Sequence, residues 1–290
     1  MRAPSIAAAA GTMGERGGRG GTIMGGIMPP PSNYPQPRHA WLYALPQARL
    51  PTTVCCNGTT YELVETFKHD FFAGTGLYRG PNGLAVLKIN RVNRFFGLSL
   101  DWLGRFLARR EMRFYRLLAD TVGIPRLIGA VGDTGLLHAY VPGQPLERRQ
   151  VVSDTFFDEL AALLEVLHTR HIAYVDLNKR QNILVGEDGR PYLIDFQISL
   201  WLPPTGWRGW VPLRWLLRRF QEGDYYHYLK HKRRLRPDLL SAEERAVAER
   251  VGVWIRLHRL IARPLTHLRR RFLRRLHGGT TAEVAGASGK

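Results

Sequence analysis

Residues 174–197 read YVDLNKRQNILVGEDGRPYLIDFQ. The apolar runs NILV and YLID are too short for helices and flank the turn GEDG, so they are expected to pair as a small hairpin. Asn182 and Asp195 then fall at its two ends, and Asp176 precedes it by one loop. Three oxygen-bearing side chains set this way suit metal and phosphate chemistry. The competing reading is that all three are turn or cap residues, a common use of Asp and Asn.

Upstream of this stretch the punctuation changes twice. Residues 1–50 are Gly, Ala, Pro and Arg without any apolar period, a composition that cannot bury enough surface to offset chain entropy, and a disordered tail is predicted there. From residue 58 the segments YELVETF, GLYR and LAVLKI read as a three-stranded meander ending near Lys88, with a tight turn at Asn82-Gly83. The next segment spaces Trp102, Leu103, Phe106, Leu107, Phe114, Leu117 and Leu118 along one helical face and stops before Gly123 and Pro125. A second hairpin, RLIGAV and GLLHAYV, completes an N-terminal part over 58–141. A helix rich in leucine follows, capped by Ser153 or Asp154, with Phe157, Leu160, Leu163, Leu164 and Leu167 at helical spacing.

The charge is strongly basic: 42 Lys and Arg against 24 Asp and Glu, net +18. Residues 201–277 hold nineteen basic and six acidic residues and so +13 of that total. Such a balance predicts an anionic partner: nucleic acid, acidic lipid or a phosphorylated substrate. No nucleic-acid motif accompanies the charge, so nucleic acid is not the expected partner. Ser241 and Glu244 form a capping box, and residues 265–276 read as a basic amphipathic helix able to lie on an anionic membrane. Five arginines there, at about 1 kcal/mol each near an acidic leaflet, would give reversible attachment. A basic helix packed on the rest of the protein fits the pattern as well. Cys55 and Cys56 are adjacent and form no disulfide framework, which fits a reducing compartment. The expected location is the cytoplasm, with peripheral attachment at the inner face of the membrane.

A small sheet with one helix, then a mainly helical part carrying a loop and hairpin with acidic ends, resembles the protein kinase-like superfamily. Its small, trimmed members are the nearest in pattern: RIO-type kinases and bacterial lipopolysaccharide core or Kdo kinases. DLNKRQN resembles the catalytic loop D-L-x-x-x-N, LIDF resembles the start of D-F-G, and VLKI resembles the strand carrying the family lysine. The fold class implied is α+β and two-lobed, with the N-terminal lobe at 58–141, a helical lobe at 142–277, and tails at 1–50 and 278–290.

The resemblance also implies roles. Lys88 would hold the α/β phosphates of ATP, and Glu111, an acid within the long helix, would orient that lysine. Asp176 would act as base toward the acceptor hydroxyl. Asn182 and Asp195 would hold Mg²⁺ or Mn²⁺, whose preference is for hard oxygen ligands. Gly74 and Gly76 would form a glycine loop over the phosphates, or the KHDFFAG turn would do so with Lys68 and backbone amides. Backbone groups of Ala139 and Val141 would meet the adenine.

Several positions depart from the family pattern. Asn182 follows Asp176 by six positions where the family has five. The place of the loop lysine falls to Asn178 or Lys179. Val175 stands where an arginine would receive a phosphorylated activation loop, Gln197 replaces the glycine of D-F-G, and no A-P-E follows. The function implied is an ATP-dependent kinase acting on a hydroxyl of a lipopolysaccharide, glycolipid or sugar, or on Ser/Thr of a protein. The alternative is an inactive pseudokinase serving as a membrane-associated binding module.

Overall fold

The structure is a computed structural model that describes residues 43–46, 48–94 and 99–249. The tail expected at 278–290, the amphipathic helix at 265–276 and the first 42 residues lie outside the described residues. Two lobes are present, one built on an antiparallel sheet and one mainly helical.

The small lobe begins with β1 (Thr53–Cys56) and β2 (Thr59–His69), joined by a two-residue turn in which Asn57 and Gly58 both have positive φ. That pairing is the Asn-Gly hairpin chemistry, and it adds a strand before the predicted meander. β3 (Ala73–Gly80) and β4 (Gly83–Asn90) follow, in continuous register from Ala73 opposite Asn90 to Gly80 opposite Gly83. Of the predicted turn pair, only Gly83 takes positive φ. After α1 (Asp101–Leu117) come β5 (Leu127–Val131) and β6 (Gly135–Ala139), giving one sheet in the order β1-β2-β3-β4-β6-β5. β6 sits beside β4, placing Lys88 opposite Leu136 at the middle of the sheet.

Two expectations for this lobe change. Ala44, Leu45 and Leu50 are buried, the two leucines in one cluster with Val54, Tyr78 and Leu87, so these described residues belong to the packed lobe and the expected tail reaches too far toward 50. The helix keeps only part of its expected face inward: Phe114 and Leu118 are buried as expected, but toward its start Gly104, Ala108, Glu111 and Met112 are buried while Trp102 and Phe106 are more than half exposed. Small residues win that face because a side chain at Gly104 would press on the Arg91 carbonyl at 2.3 Å.

In the large lobe β7 (Gly143–Pro145) leads to α2 (Phe156–Thr169), which starts from Thr155 without a side-chain cap. Neither Ser153 nor Asp154 caps it; Asp154 instead pairs with Arg236 at 2.6 Å. β8 (Ile172–Ala173) precedes the loop, and β9 (Ile183–Gly186) and β10 (Pro191–Leu193) are the predicted hairpin, which β7 extends to three strands. β11 (Leu200–Trp201) pairs back on β8. α3 (Val211–Leu235) then crosses the back of the loop, and α4 (Ala242–Glu249) opens with the predicted capping box, Ser241 and Glu244 exchanging two 3.0 Å bonds. The main core joins both lobes through Phe114, Tyr115, Leu136, Phe157, Leu164, Tyr174 and Phe196.

Two buried histidines tie this core to pH. His138 donates through Nδ1 to the Ala139 carbonyl (2.9 Å), and His231 through Nε2 to the Leu177 carbonyl (2.8 Å). Burial drives each down to about 4, with further repulsion on His231 from Lys230, Arg180 and Arg234. A histidine depressed in the folded state binds its proton more readily when unfolded, so its stabilisation is present above 6.5 and lost as pH falls from 6.5 toward 4. The slope is at most about 1.4 kcal/mol per pH unit for each histidine. Urea unfolding at pH 7 and pH 5 should show His138→Gln losing less stability on acidification than the wild type. An identical loss in both would contradict this assignment.

Candidate active site

Lys88 lies on β4 in the sheet centre, and its ammonium reaches across to both lobes. It contacts Glu111 of α1 at 3.1 Å (Oε1) and 2.9 Å (Oε2), and Asp195 Oδ1 at 2.8 Å. Glu111 is 1% exposed, whereas Asp195 keeps 31% of its side-chain surface open to the cleft. Burial works against the charge on Lys88, but Glu111 and Asp195 more than offset it and its pKa rises above the ordinary lysine value. Burial lifts Glu111 to about 7 despite the lysine beside it. For Asp195, burial is overridden by Lys88 and the carboxyl is held below its usual range. These residues are 107 positions apart at the extreme, so the contact exists only in the folded state.

The loop 176–182 absorbs its extra residue as two successive turns. The Lys179 amide donates to the Asp176 carbonyl and the Asn182 amide to the Lys179 carbonyl, both at 3.0 Å. The second turn is a short 3-10 helix, Arg180–Asn182. The six-residue step therefore closes on itself, and Asn182 Nδ2 donates to Asp176 Oδ2 at 3.0 Å. Lys179 Nζ meets the same oxygen at 2.5 Å, whereas the Asn178 side chain accepts from Lys230. Burial raises Asp176 above the usual carboxylate value, with Lys179 opposing. That direction suits a group that must accept a proton near neutral pH.

Asn182 and Asp195 are brought together by the backbone, because the Ile194 amide donates to the Asn182 carbonyl at 3.1 Å. With the Asn182 amide nitrogen turned to Asp176, its oxygen faces no donor among the described residues. No group of three His, Cys, Asp or Glu side chains is placed to hold a metal among the described residues. The pair Asn182 and Asp195 nevertheless fits a hard divalent cation that takes its remaining ligands from phosphate and water. Glu111, Asp195 and Asp176 set three carboxylates against Lys88 and Lys179, an excess of negative charge that such a cation would neutralise.

Gln197 does structural work that a glycine could not. Its amide hydrogen-bonds the buried Asn90 at the end of β4, and Arg110 of α1 donates to the carbonyls of Gln197 (2.8 Å) and Ser199. Asp195 takes a positive φ of 64° and Phe196 packs between Phe114, Tyr115 and Tyr174, so the segment is clamped on both sides.

Other predicted residues do not reach the cleft chemistry. Gly74 and Gly76 are paired strand residues of β3; a side chain at Gly76 would meet Leu50 at 2.7 Å, so these glycines make room for the packed segment ahead of β1. In the turn between β2 and β3, Asp70 Oδ1 accepts the amides of Phe72 (2.8 Å) and Ala73 (3.1 Å), and Lys68 pairs with Asp70 at 2.7 Å. The amides and the lysine expected to face phosphate are thus held by an internal carboxylate. Arg91 fixes the same turn, donating to the Phe71 carbonyl at 2.9 Å. At the expected adenine edge the Ala139 amide donates to Arg126 and its carbonyl accepts from His138, leaving Val141 as the remaining backbone candidate.

Asp224 was missing from the expected set. From α3 it accepts the amides of Tyr174 and Val175, both at 2.7 Å, and His168 Nε2 at 3.3 Å. It is 1% exposed and holds Val175 at a φ of 71°, a conformation that a β-branched residue adopts only under constraint. The signal was present: Leu217, Asp224, Tyr228 and His231 fall on one buried face of α3, so an acid sat at a core position of a basic helix. Replacing Asp224 by Ala strands one buried and one half-buried amide and should cost about 3 to 5 kcal/mol, two charge-assisted bonds' worth. Urea midpoints of Asp224→Ala and wild type measure it, and an unchanged midpoint would refute the role.

No family model and no curated protein matches the chain. Among solved structures it is similar to the Rio2 kinase from Chaetomium thermophilum, at 18% identity and TM-score 0.47, covering 66% of this chain and 64% of that one. A second structure of that kinase, an ADP/Mg²⁺-phosphoaspartate complex, gives 18% identity and TM-score 0.46 over 66% of this chain and 62% of the other. The chain thus spans just under two thirds of the length of those kinase chains. On its own architecture, a sheet lysine paired with a helix glutamate above a loop and hairpin bearing Asp, Asn and Asp, the fold is protein kinase-like.

Proposed function

We propose that this protein is an ATP-dependent phosphotransferase that moves the γ-phosphate to a hydroxyl. The observation that carries the reading is the charge-neutralising contact of Lys88 with Glu111 and Asp195, facing the Asp176–Asn182 pair across the cleft. Bound ATP with Mg²⁺ or Mn²⁺ supplies the transferable phosphoryl group and the charge that stabilises its transfer. The protein's part is positioning: Lys88 takes the α/β phosphates, Asn182 and Asp195 hold the metal, and Asp176 orients the acceptor hydroxyl and receives its proton. The basic excess of residues 201–277 supports an anionic acceptor, a lipopolysaccharide, glycolipid or sugar ahead of a protein Ser/Thr. The same excess supports a cytoplasmic protein attached peripherally to an acidic membrane through 265–276.

A second reading, a binding module without catalysis, is favoured by one feature: Asp70 occupies the turn amides that would otherwise meet phosphate. Thermal unfolding separates the two. ATP with Mg²⁺ at one hundred times its dissociation constant should stabilise the protein by about 2.7 kcal/mol. Asp195→Ala should abolish the metal-dependent part, and Asp176→Asn should leave nucleotide binding while slowing transfer by ~10² to 10⁴-fold. Absence of any shift with ATP and either metal would sink the enzyme reading.

A further inference from the structure

Beside the 176–182 loop lies a cavity of about 740 Å³ between the end of β7, the loop itself and α3. Arg148, Lys179, Arg180, Lys230 and Arg234 line it, against one carboxylate, Glu147. We infer that this cavity seats a phosphate already carried by the acceptor, so that the acceptor class is a phosphorylated compound with a free hydroxyl. The inference rests on the phosphotransferase reading and names its substrate class.

Two of the five cations are engaged: Lys179 with Asp176 at 2.5 Å, and Lys230 with the Asn178 side-chain oxygen at 2.7 Å. Arg148, Arg180 and Arg234 form no ion pair among the described residues. Arg180 Nη1 is buried and has no hydrogen-bond partner. A solvated basic face would keep its guanidinium nitrogens in water, and here one is withdrawn from water with nothing to donate to, which costs stability unless an acceptor arrives. Burial, with repulsion from Arg148 and Arg234, pulls Arg180 below the ordinary arginine value, and Glu147 offsets only part of it. A dianion with several oxygens relieves both the repulsion and the missing bond, and the planar guanidinium fork matches its geometry.

Position supports the assignment. The cavity wall formed by Asn178, Lys179, Arg180 and Gln181 is the loop that starts at Asp176 and ends at Asn182. Lys179 touches both, its ammonium on Asp176 and its chain on the cavity, so a phosphate held here places a neighbouring hydroxyl at the base. The extra residue of this loop contributes to the cavity wall as well as to the turn geometry. The volume falls in the range of small-molecule sites, about 300 to 1,000 Å³.

Calorimetric titration of the full chain with inorganic phosphate at low salt tests this, with the ATP–Mg²⁺ thermal shift recorded on every sample. Wild-type protein should bind phosphate. Arg180→Ala, and separately Arg148→Ala with Arg234→Ala at exposed positions, should weaken it at least about tenfold per bond lost. Arg180→Lys should recover part of the affinity, and Arg218→Ala, elsewhere on α3, should leave it unchanged. Glucose 6-phosphate and vesicles containing phosphatidic acid distinguish the source: competition by the first assigns a soluble acceptor, and vesicle binding that Arg180→Ala weakens assigns a lipid-borne one. No phosphate binding, or equal loss in Arg218→Ala, overturns the inference while a retained nucleotide shift keeps the phosphotransferase reading. Loss of the wild-type nucleotide shift overturns that reading and this inference with it.

Discussion

A single ammonium group holds the two lobes in one arrangement. Lys88 is 12% exposed at the side chain and stands between one carboxylate from α1 and one from the segment after β10. Removing Lys88 leaves Glu111 and Asp195 without their counter-charge, a loss on the order of 3 to 5 kcal/mol. The inward face of α1, with Gly104, Ala108 and Glu111 rather than Trp102 and Phe106, follows from this contact. So does the position of Asp195, which Phe196, Gln197 and Arg110 clamp from both sides.

Below that contact, a second buried carboxylate performs the same service for the loop. Asp224 holds the amides of Tyr174 and Val175, and Tyr174 in turn hydrogen-bonds the Ile194 carbonyl and receives the Ser199 hydroxyl on its own carbonyl. Loop, hairpin and post-hairpin segment are therefore one hydrogen-bonded body anchored on α3. The strained φ values of Val175 and Asp195 occur at its two ends, where tertiary contacts over-determine the backbone. A rigid loop of this kind can absorb an extra residue in a second turn without moving Asp176 away from Asn182.

Much of this was legible in the sequence where local chemistry decides the outcome. The hairpin ends at Asn182 and Asp195, the strand bearing Lys88 and the capping box at Ser241 depend on neighbours a few residues away, and they form as read. Apolar spacing places Phe114 and Leu118 of α1 correctly but not Trp102 and Phe106, because the demand that Glu111 meet Lys88 is a tertiary constraint that outranks the hydrophobicity of Trp102. Gly74 and Gly76 looked like a phosphate loop because glycine spacing alone cannot separate a ligand cradle from a strand that another segment crosses. Leu45 and Leu50 make that crossing, and they were hidden in a segment whose composition reads as tail. Asp224 was overlooked since no motif marks it; only its place on the buried face of a basic helix does.

The central claim is that Glu111 acts through Lys88 on a bound nucleotide. Nucleotide affinity in the presence of Mg²⁺, measured for wild type, Lys88→Met, Glu111→Gln and the double variant, tests it as a cycle. The account predicts that Glu111→Gln weakens binding in the wild-type background and changes nothing further once Lys88 is gone. Losses that simply add, or a Lys88→Met protein that binds nucleotide as the wild type does, would contradict it.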